Sequence, residues 1–248
     1  MPSFTSYQNI LPDPVSGIAD GGQAGTTKGP GFTSVKLSSE HKMQNTRTNS
    51  GRLISREVSG HKWNIGISYN PMTREEFEPV YSFLLQKRGS LTPFFVALPQ
   101  YKEPRDLDFK SFVASNTFSV AGSATIAAGA TSLMIGASGY SSSSNGTAKP
   151  GDLFTISDDD HDSNHTKVYQ ITRVETNSTY DAQTSPQPSA TQQRIQFIPA
   201  LQRSVSGDAT LVFTNPKFRV IQKKDVQEYN LNTENLYSFS LELEEAQP

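Results

Sequence analysis

The densest set of possible metal ligands in the sequence is DDDHDSNH, which starts at residue 158. Carboxylate oxygens and imidazole nitrogens bind divalent cations, so Asp158, Asp160, His161 and Asp162 form a candidate cation loop. The segment lacks the glycine and the terminal glutamate of a calcium-binding helical hand, and it lies between two strand-like segments, GDLFTIS and TKVYQITRVE. Charge collects in exposed loops without penalty. A polar hairpin tip is therefore the preferred interpretation, and no metal ion or cofactor is assigned.

Residues suited to covalent or acid–base catalysis form no recognisable set. The chain has no cysteine, which excludes disulfides, thiolate zinc sites and thiol nucleophiles. His41 and His61 form no convincing catalytic pair with an acid in the sequence, and the serines lie in no nucleophile-elbow context. No glycine-rich phosphate loop of a recognised form is present. We expect no catalytic residues and a protein that is not an enzyme.

One stretch of the chain is basic and surrounds the segment TRTNSGR. Its cations are Lys42, Arg47, Arg52 and Arg56. Glu40 and Glu57 dilute this charge, and the whole chain carries 22 Lys and Arg against 24 Asp and Glu, a net charge of −2. General nucleic-acid binding is therefore disfavoured. A solvated strand face or a subunit interface is the preferred interpretation of the stretch.

The segment HKWNIGISY, 61–69, has the clearest strand pattern in the first third of the chain. Apolar and polar residues alternate strictly, which places alternate side chains on the core face of a strand. The alternation is less regular near Val35 and near Leu53 and Ile54. The last segment, LYSFSLELEE, also alternates and predicts a terminal strand that returns to the sheet of 61–69.

The segment MTREEFEPVYSFLLQKRG predicts one helix, from about residue 73 to residue 88. Thr73 and Glu76 have the spacing of a capping box. An apolar stripe at helical spacing indicates the buried face: Phe77, Val80, Tyr81, Leu84 and Leu85. Proline costs roughly 3 kcal/mol in a regular helix interior. Pro79 therefore predicts either a kink or a helix that starts properly only near Glu78.

The segment composition predicts a mainly β protein with two domains. Only 34% of the residues are hydrophobic, and the many Gly, Pro, Ser, Thr and Asn residues suit short strands joined by turns. Residues 11–31 are rich in Gly and Pro and are expected to form an extended arm that is loose in the free subunit. We expect a β-sandwich from 1–117 and 216–248 with one flanking helix, and a small β-barrel or sandwich inserted at 118–215.

The order of these elements resembles phage tail proteins of the distal-tail, minor-tail and baseplate-ring kind. The resemblance rests on GRLISREVSGHKWNIGISY, the helical segment, TPFFVALP, the closing YSFSLELEE, and the middle segments GDLFTI, KVYQITRVE and RIQFIPALQRSVSGDATLVF. It implies a tail-tube-like β-sandwich and self-assembly into a ring, commonly of six copies, with tail-tube and tail-tip or baseplate hub proteins as partners. It implies no catalytic residues.

Two other classes of function stay open at this stage. A carbohydrate- or receptor-binding β-module would need a shallow aromatic platform, for which Tyr140, Tyr169 and Tyr180 are the candidates. A tail-associated hydrolase would need a pair of carboxylates in a cleft, and the dense source is the segment from Asp158 to Asp162.

The location of the protein is predicted from the resemblance and from the lack of targeting signals. The first ten residues lack the basic start and apolar core of a signal peptide, and no apolar run approaches the ~20 residues that span a bilayer. We expect no membrane partner and no specific nucleic-acid binding. The expected location is the tail of the virion, with assembly in the host cytoplasm.

Overall fold

The computed structural model describes residues 10–12, 17–18, 24–57, 60–122, 124–157, 167–182, 186–225 and 228–246, with only the backbone at 17–18, 24–28 and 57. The protein is mainly β, which confirms the predicted fold class. It divides into two compact units. The barrel unit takes its described residues from 97–218, and the sheet unit takes them from 7–96 and 219–248.

The described elements are seventeen strands and two α-helices, here given in chain order. They are β1 Gly17–Ile18, β2 Ala24–Lys28, β3 Phe32–Glu40, β4 Met43–Arg47, β5 Leu53–Glu57, β6 Lys62–Tyr69, α1 Arg74–Gln86, β7 Phe94–Ala97, α2 Leu107–Val113, β8 Phe118–Val120, β9 Ser132–Gly136, β10 Leu153–Ser157, β11 Tyr169–Glu175, β12 Gln192–Ile198, β13 Thr210–Val212, β14 Lys217–Gln222, β15 Asn230–Leu231, β16 Tyr237–Ser238 and β17 Ser240–Glu245. Neither α-helix of the described residues has the length and apolar character needed to cross a membrane.

The main sheet has five strands in the order β3-β6-β17-β14-β7. The side chains of β6 alternate strictly between half-buried and buried, because one face of the strand lies on the core, as the sequence predicts. The terminal strand β17 pairs antiparallel with β6, where Leu243 lies opposite Ile65 and Leu241 lies opposite Ile67. The last segment of the chain therefore returns to the sheet of 61–69, as its alternation predicts.

Helix α1 begins at Arg74 and runs without interruption through Pro79. The prediction of a start near Glu78 is therefore wrong. The Glu76 carboxylate accepts hydrogen bonds from the backbone N–H and the hydroxyl of Thr73, both at 3.0 Å, and these contacts stabilise the first turn. A proline this close to the start removes one hydrogen bond from the second turn only. The helix therefore tolerates Pro79.

The buried stripe of α1 consists of Phe77, Val80 and Leu84. Leu85, which the pattern also assigned to this stripe, is 53% exposed. The deeply buried amide of Gln222 on β14 donates a hydrogen bond to the carbonyl oxygen of Leu84 at 2.9 Å. This contact fixes the carboxyl end of the helix over the sheet and turns the neighbouring Leu85 towards solvent.

Replacing Leu84 by Ala is expected to lower the free energy of unfolding by about 2 to 5 kcal/mol, because the side chain is fully buried and a cavity would remain. Leu85→Ala is the matched control on the same helix, and its effect should stay within about 0.5 kcal/mol. Urea unfolding of both variants measures the difference. Equal effects of the two substitutions would show that the helix lies on the sheet with another face.

In the barrel unit, six strands close in the order β10-β11-β12-β9-β8-β13, because β13 pairs with β10. Helix α2, which the sequence reading missed, packs on this barrel through fully buried Phe109, whose ring contacts Phe118 and Phe213. Asp106 caps the helix by accepting a hydrogen bond from the Phe109 N–H at 3.0 Å. At seven residues, α2 is too short to show a clear helical period in the sequence.

Candidate assembly surface

The most exposed element of the sheet unit is the hairpin of β4 and β5, at 42–57 and here called the basic hairpin. Its two strands form a sheet of their own, with no third strand in the described chain. Every side chain described from residue 42 to residue 56 is exposed except Thr48, which is half-buried. Three large apolar side chains are among them, Met43 at 49% exposure and Leu53 and Ile54 at 53% each.

The tip of the basic hairpin has a defined geometry. The Gly51 N–H donates to the Thr48 carbonyl at 2.8 Å, and the Thr48 N–H donates to the Arg52 carbonyl at 3.0 Å. Gly51 has φ of 81°, in the left-handed region that glycine adopts without a Cβ penalty. The Arg52 N–H also donates to the Thr48 hydroxyl at 3.1 Å. These bonds hold a tight turn at the end of the two exposed strands.

The basic stretch identified in the sequence is this hairpin. Arg47, Arg52 and Arg56 are exposed and make no ion pair with the described part of the chain. Across the strand pair, Arg56 lies opposite Gln44 and Arg47 lies opposite Leu53. Cations therefore stand beside apolar side chains on a surface that has no buried side. This arrangement fits a subunit interface better than a strand face that is merely solvated.

Two histidines meet at the base of the basic hairpin. Their rings are 4.7 Å apart, and the Ser39 hydroxyl lies 3.2 Å from His41 Nε2 and 2.8 Å from His61 Nε2. The His61 ring also contacts the buried Trp63 ring at 4.7 Å. The antiparallel register, in which Glu40 lies opposite Lys62, brings the next two residues together. The sequence reading kept the two histidines separate because the β3–β6 pairing was not known.

The arm predicted at 11–31 contains a strand pair where the structure describes it. β1 and β2 pair antiparallel, with Gly17 opposite Lys28 and Ile18 opposite Ala24. Before this pair, the Leu11 N–H donates to the Phe95 carbonyl at 2.8 Å, and Leu11 is fully buried. The described part of the arm is thus a buried attachment followed by a short hairpin, not one extended segment.

The aromatic platform proposed for the barrel unit is wrong for two of its three members. Tyr140 and Tyr169 are 1% and 0% exposed, so their rings belong to the barrel core. The Tyr140 hydroxyl donates to the Gly146 carbonyl at 2.9 Å, and burial raises the pKa of this phenol. Tyr180 is half-buried. The alternation of short strands cannot show which tyrosines a closing barrel encloses.

An aromatic surface occurs instead in the sheet unit, and we call it the tyrosine patch. The Tyr237 ring stacks on the buried Phe77 ring at 4.5 Å, and the Tyr81 ring stacks on it at 5.2 Å. The Tyr229 ring contacts Phe77 at 5.1 Å and Tyr81 at 5.5 Å, and Tyr229 is 47% exposed. Backbone hydrogen bonds in both directions between Met72 and Tyr237 hold the patch beside the start of α1.

The candidate cation loop from Asp158 to His165 lies outside the described residues. Within the described part of the chain, no three His, Asp or Glu side chains are grouped so that they could hold a metal ion. The dense carboxylate source named for a hydrolase is the same segment, so the structure adds no geometry for that alternative.

The best-defined charged contact in the barrel unit is structural. Glu175 and Arg194 lie directly opposite each other on β11 and β12, with Arg194 Nη1 at 3.3 Å from Glu175 Oε2, and both residues are buried. Arg173 Nη2 approaches the other carboxylate oxygen of Glu175 at 3.1 Å. Burial raises the pKa of Asp152, although the backbone N–H groups of Lys149 and Arg105 donate hydrogen bonds to its carboxylate. These groups stabilise the barrel rather than form a cleft.

Two β-rich units and an exposed hairpin without a core define a β-rich protein with a surface suited to assembly. No protein-family model matches the chain. The chain is similar to the "Distal tail protein pb9" of Escherichia phage T5, with 29% identity over 222 residues, which is 88% of this chain and 93% of that protein. This similarity supports a structural protein of a phage tail, as the order of elements in the sequence suggested.

Proposed function

We propose that the protein is a structural subunit of the tail tip or baseplate of a phage, and that it assembles into a ring, of six copies, that joins the tail tube to the tip. Its partners are further copies of itself, tail-tube proteins and tip or baseplate hub proteins. It acts without catalysis, in the tail of the virion, after assembly in the host cytoplasm. Similarity to a distal tail protein over 88% of the chain supports this role.

The observation that carries the proposal is the complete exposure of the basic hairpin. An isolated two-stranded hairpin is marginally stable at best in water, and it gains stability when it packs on another surface. Met43, Leu53 and Ile54 would gain by leaving water in such a contact. A hairpin that is inserted into a neighbour makes a head-to-tail contact, which closes into a ring when the rotation between copies permits it.

The arm at 11–31 is proposed as a second assembly element. Its sequence is rich in Gly and Pro, and few of its side chains are apolar, so its ordering must be offset by contacts with a neighbouring subunit or another tail protein. We also propose that the sandwich of 1–117 and 216–248 carries the ring contacts, whereas the inserted module at 118–215 faces other tail proteins.

Native mass measurement of the purified chain, followed by imaging for rings, tests the proposed function. We expect a closed species of several copies, and rings in projection. A chain that stays monomeric at all accessible concentrations, alone and with tail-tube protein, would overturn the proposal.

Deleting 12–28 is expected to leave a folded monomer that no longer forms rings, because Leu11 keeps its buried place and only the projecting part of the arm is removed. Changing Asp158, Asp159, Asp160 and Asp162 together to Asn is the control, and rings should survive it, since a solvated loop contributes little to packing. Sedimentation measures both variants. Rings that form without the arm, and that are lost with the Asn substitutions or on chelation, would assign assembly to the acidic loop.

A further inference from the structure

We propose that the basic hairpin of one copy docks on the tyrosine patch of the next copy. This inference rests on the proposed function and names the two surfaces that meet in the ring. Both surfaces belong to the sheet unit, but they are different surfaces. The contact is therefore head-to-tail, the type of contact that generates rings.

The tyrosine patch is preorganised for a partner. Its rings contact one another around Phe77, so little side-chain freedom remains to be lost when a second surface arrives. Tyr229 and Leu231 are 47% and 51% exposed, and both lie next to the ring cluster on the segment that leads into β15. Tyrosine is enriched in protein interfaces because a large apolar ring carries a polar end.

Acidic side chains surround the rings. The segment 74–81 contains three carboxylates and one arginine, and the segment 228–237 contains two carboxylates and no cation. Arg74 already pairs with Glu78 at 2.6 Å, and Glu76 caps the helix. Exposed Glu75, Glu228 and Glu234 make no ion pair with any described residue. The patch thus offers aromatic faces bordered by three available carboxylates.

The basic hairpin offers the complementary groups. From residue 42 to residue 57 it carries four cations and one carboxylate. An arginine side chain stacks on an aromatic face and also forms paired hydrogen bonds with a carboxylate, so arginine suits a border of tyrosine and glutamate. Met43, Leu53 and Ile54 can cover the exposed edges of the rings. A second copy of this chain is therefore the occupant that the charge of both surfaces fits.

Charge reversal tests the pairing. The hairpin-reversed variant carries Arg47→Glu, Arg52→Glu and Arg56→Glu, and the patch-reversed variant carries Glu75→Arg, Glu228→Arg and Glu234→Arg. All six side chains are exposed, so both variants should keep the melting temperature of the wild type. Each variant alone should associate about tenfold more weakly or worse, as measured by sedimentation. Lys102→Glu and Asp208→Arg, which change exposed charges in the barrel unit, are the controls and should associate like the wild type.

Restoration identifies the partner surfaces. A chain that carries all six substitutions should form rings again, because each reversed hairpin meets a reversed patch. An equimolar mixture of the two single-surface variants should also form rings, with the variants in alternation, if the number of copies is even. Raising the salt concentration from 0.15 M to 1 M shortens the screening length from about 8 Å to about 3 Å and should weaken every one of these rings.

The outcomes separate this inference from the proposed function. Wild-type protein that never associates overturns both. Wild-type rings together with an unaffected hairpin-reversed variant show that the hairpin lies outside the interface and overturn the inference alone. Loss of rings in both variants without restoration in the six-fold variant or in the mixture shows that the hairpin contacts another surface, and this also overturns the inference while the ring role stands.

Discussion

A chain in which residues 42–60 are replaced by the dipeptide Asn-Gly is expected to fold and to remain monomeric. In the native register Glu40 lies opposite Lys62, so His41 and His61 can be joined by a two-residue turn that suits antiparallel strands. The removed side chains described in 42–56 are exposed apart from the half-buried Thr48, so little packing is lost. We expect a melting temperature close to that of the wild type and complete loss of rings, measured by calorimetry and by imaging.

The controls for this deletion keep the hairpin and change its chemistry gently. Arg47→Lys, Arg52→Lys and Arg56→Lys together preserve the positive charge and should preserve rings, although the lysine side chain lacks the planar fork of arginine. Rings formed by the shortened chain would remove the basic hairpin from the assembly surface. A large fall in the melting temperature would instead mean that the hairpin stabilises the sheet unit itself.

Replacing Arg194 by Met is expected to lower the free energy of unfolding of the barrel unit by about 3 kcal/mol. The substitution keeps a long apolar stem but leaves the buried Glu175 carboxylate without its direct cross-strand partner. Removing one member of a buried ion pair costs more than the pair contributes, because the remaining charge has lost its solvent as well as its partner. Urea unfolding, followed by a probe of the barrel core, measures the change.

Arg173→Met is the matched control for this substitution. Arg173 also contacts Glu175, but its side chain is 48% exposed, so water can replace part of the contact. Its loss should cost no more than about 1 kcal/mol. Equal effects of the two substitutions would mean that Glu175 depends on both arginines alike. An effect of Arg194→Met below about 1 kcal/mol would show that the carboxylate is solvated or protonated after the change.

Several elements follow from local patterns in the sequence. The strict alternation in 61–69 predicts the one-sided burial of β6, because side chains in a strand point to opposite faces in turn. Thr73 and Glu76 predict the start of α1, because a capping box acts within four residues. In the sheet of 61–69, the alternating terminal segment predicts a strand, and β17 is that strand. In each case the physical cause lies within a few residues of the pattern.

Other features depend on which surfaces meet, and a local pattern cannot supply that information. Leu84 and Leu85 are neighbours with the same side chain, and only the position of the sheet decides that one is buried and the other exposed. Tyr140 and Tyr169 looked available, but closure of the barrel encloses both. The pairing of His41 with His61 follows from the β3–β6 register, which joins residues twenty positions apart.

The sequence by itself determined the mainly β class, the main helix, the absence of thiol chemistry and the likeness to phage tail proteins, because composition and local periodicity carry these properties. The tertiary structure alone decided that the basic stretch is an exposed hairpin and that an aromatic surface gathers around Phe77. Whether a strand is covered depends on the elements available to pack against it. For the basic hairpin, the described chain provides none, and so a surface of charge and apolar side chains is left for another subunit.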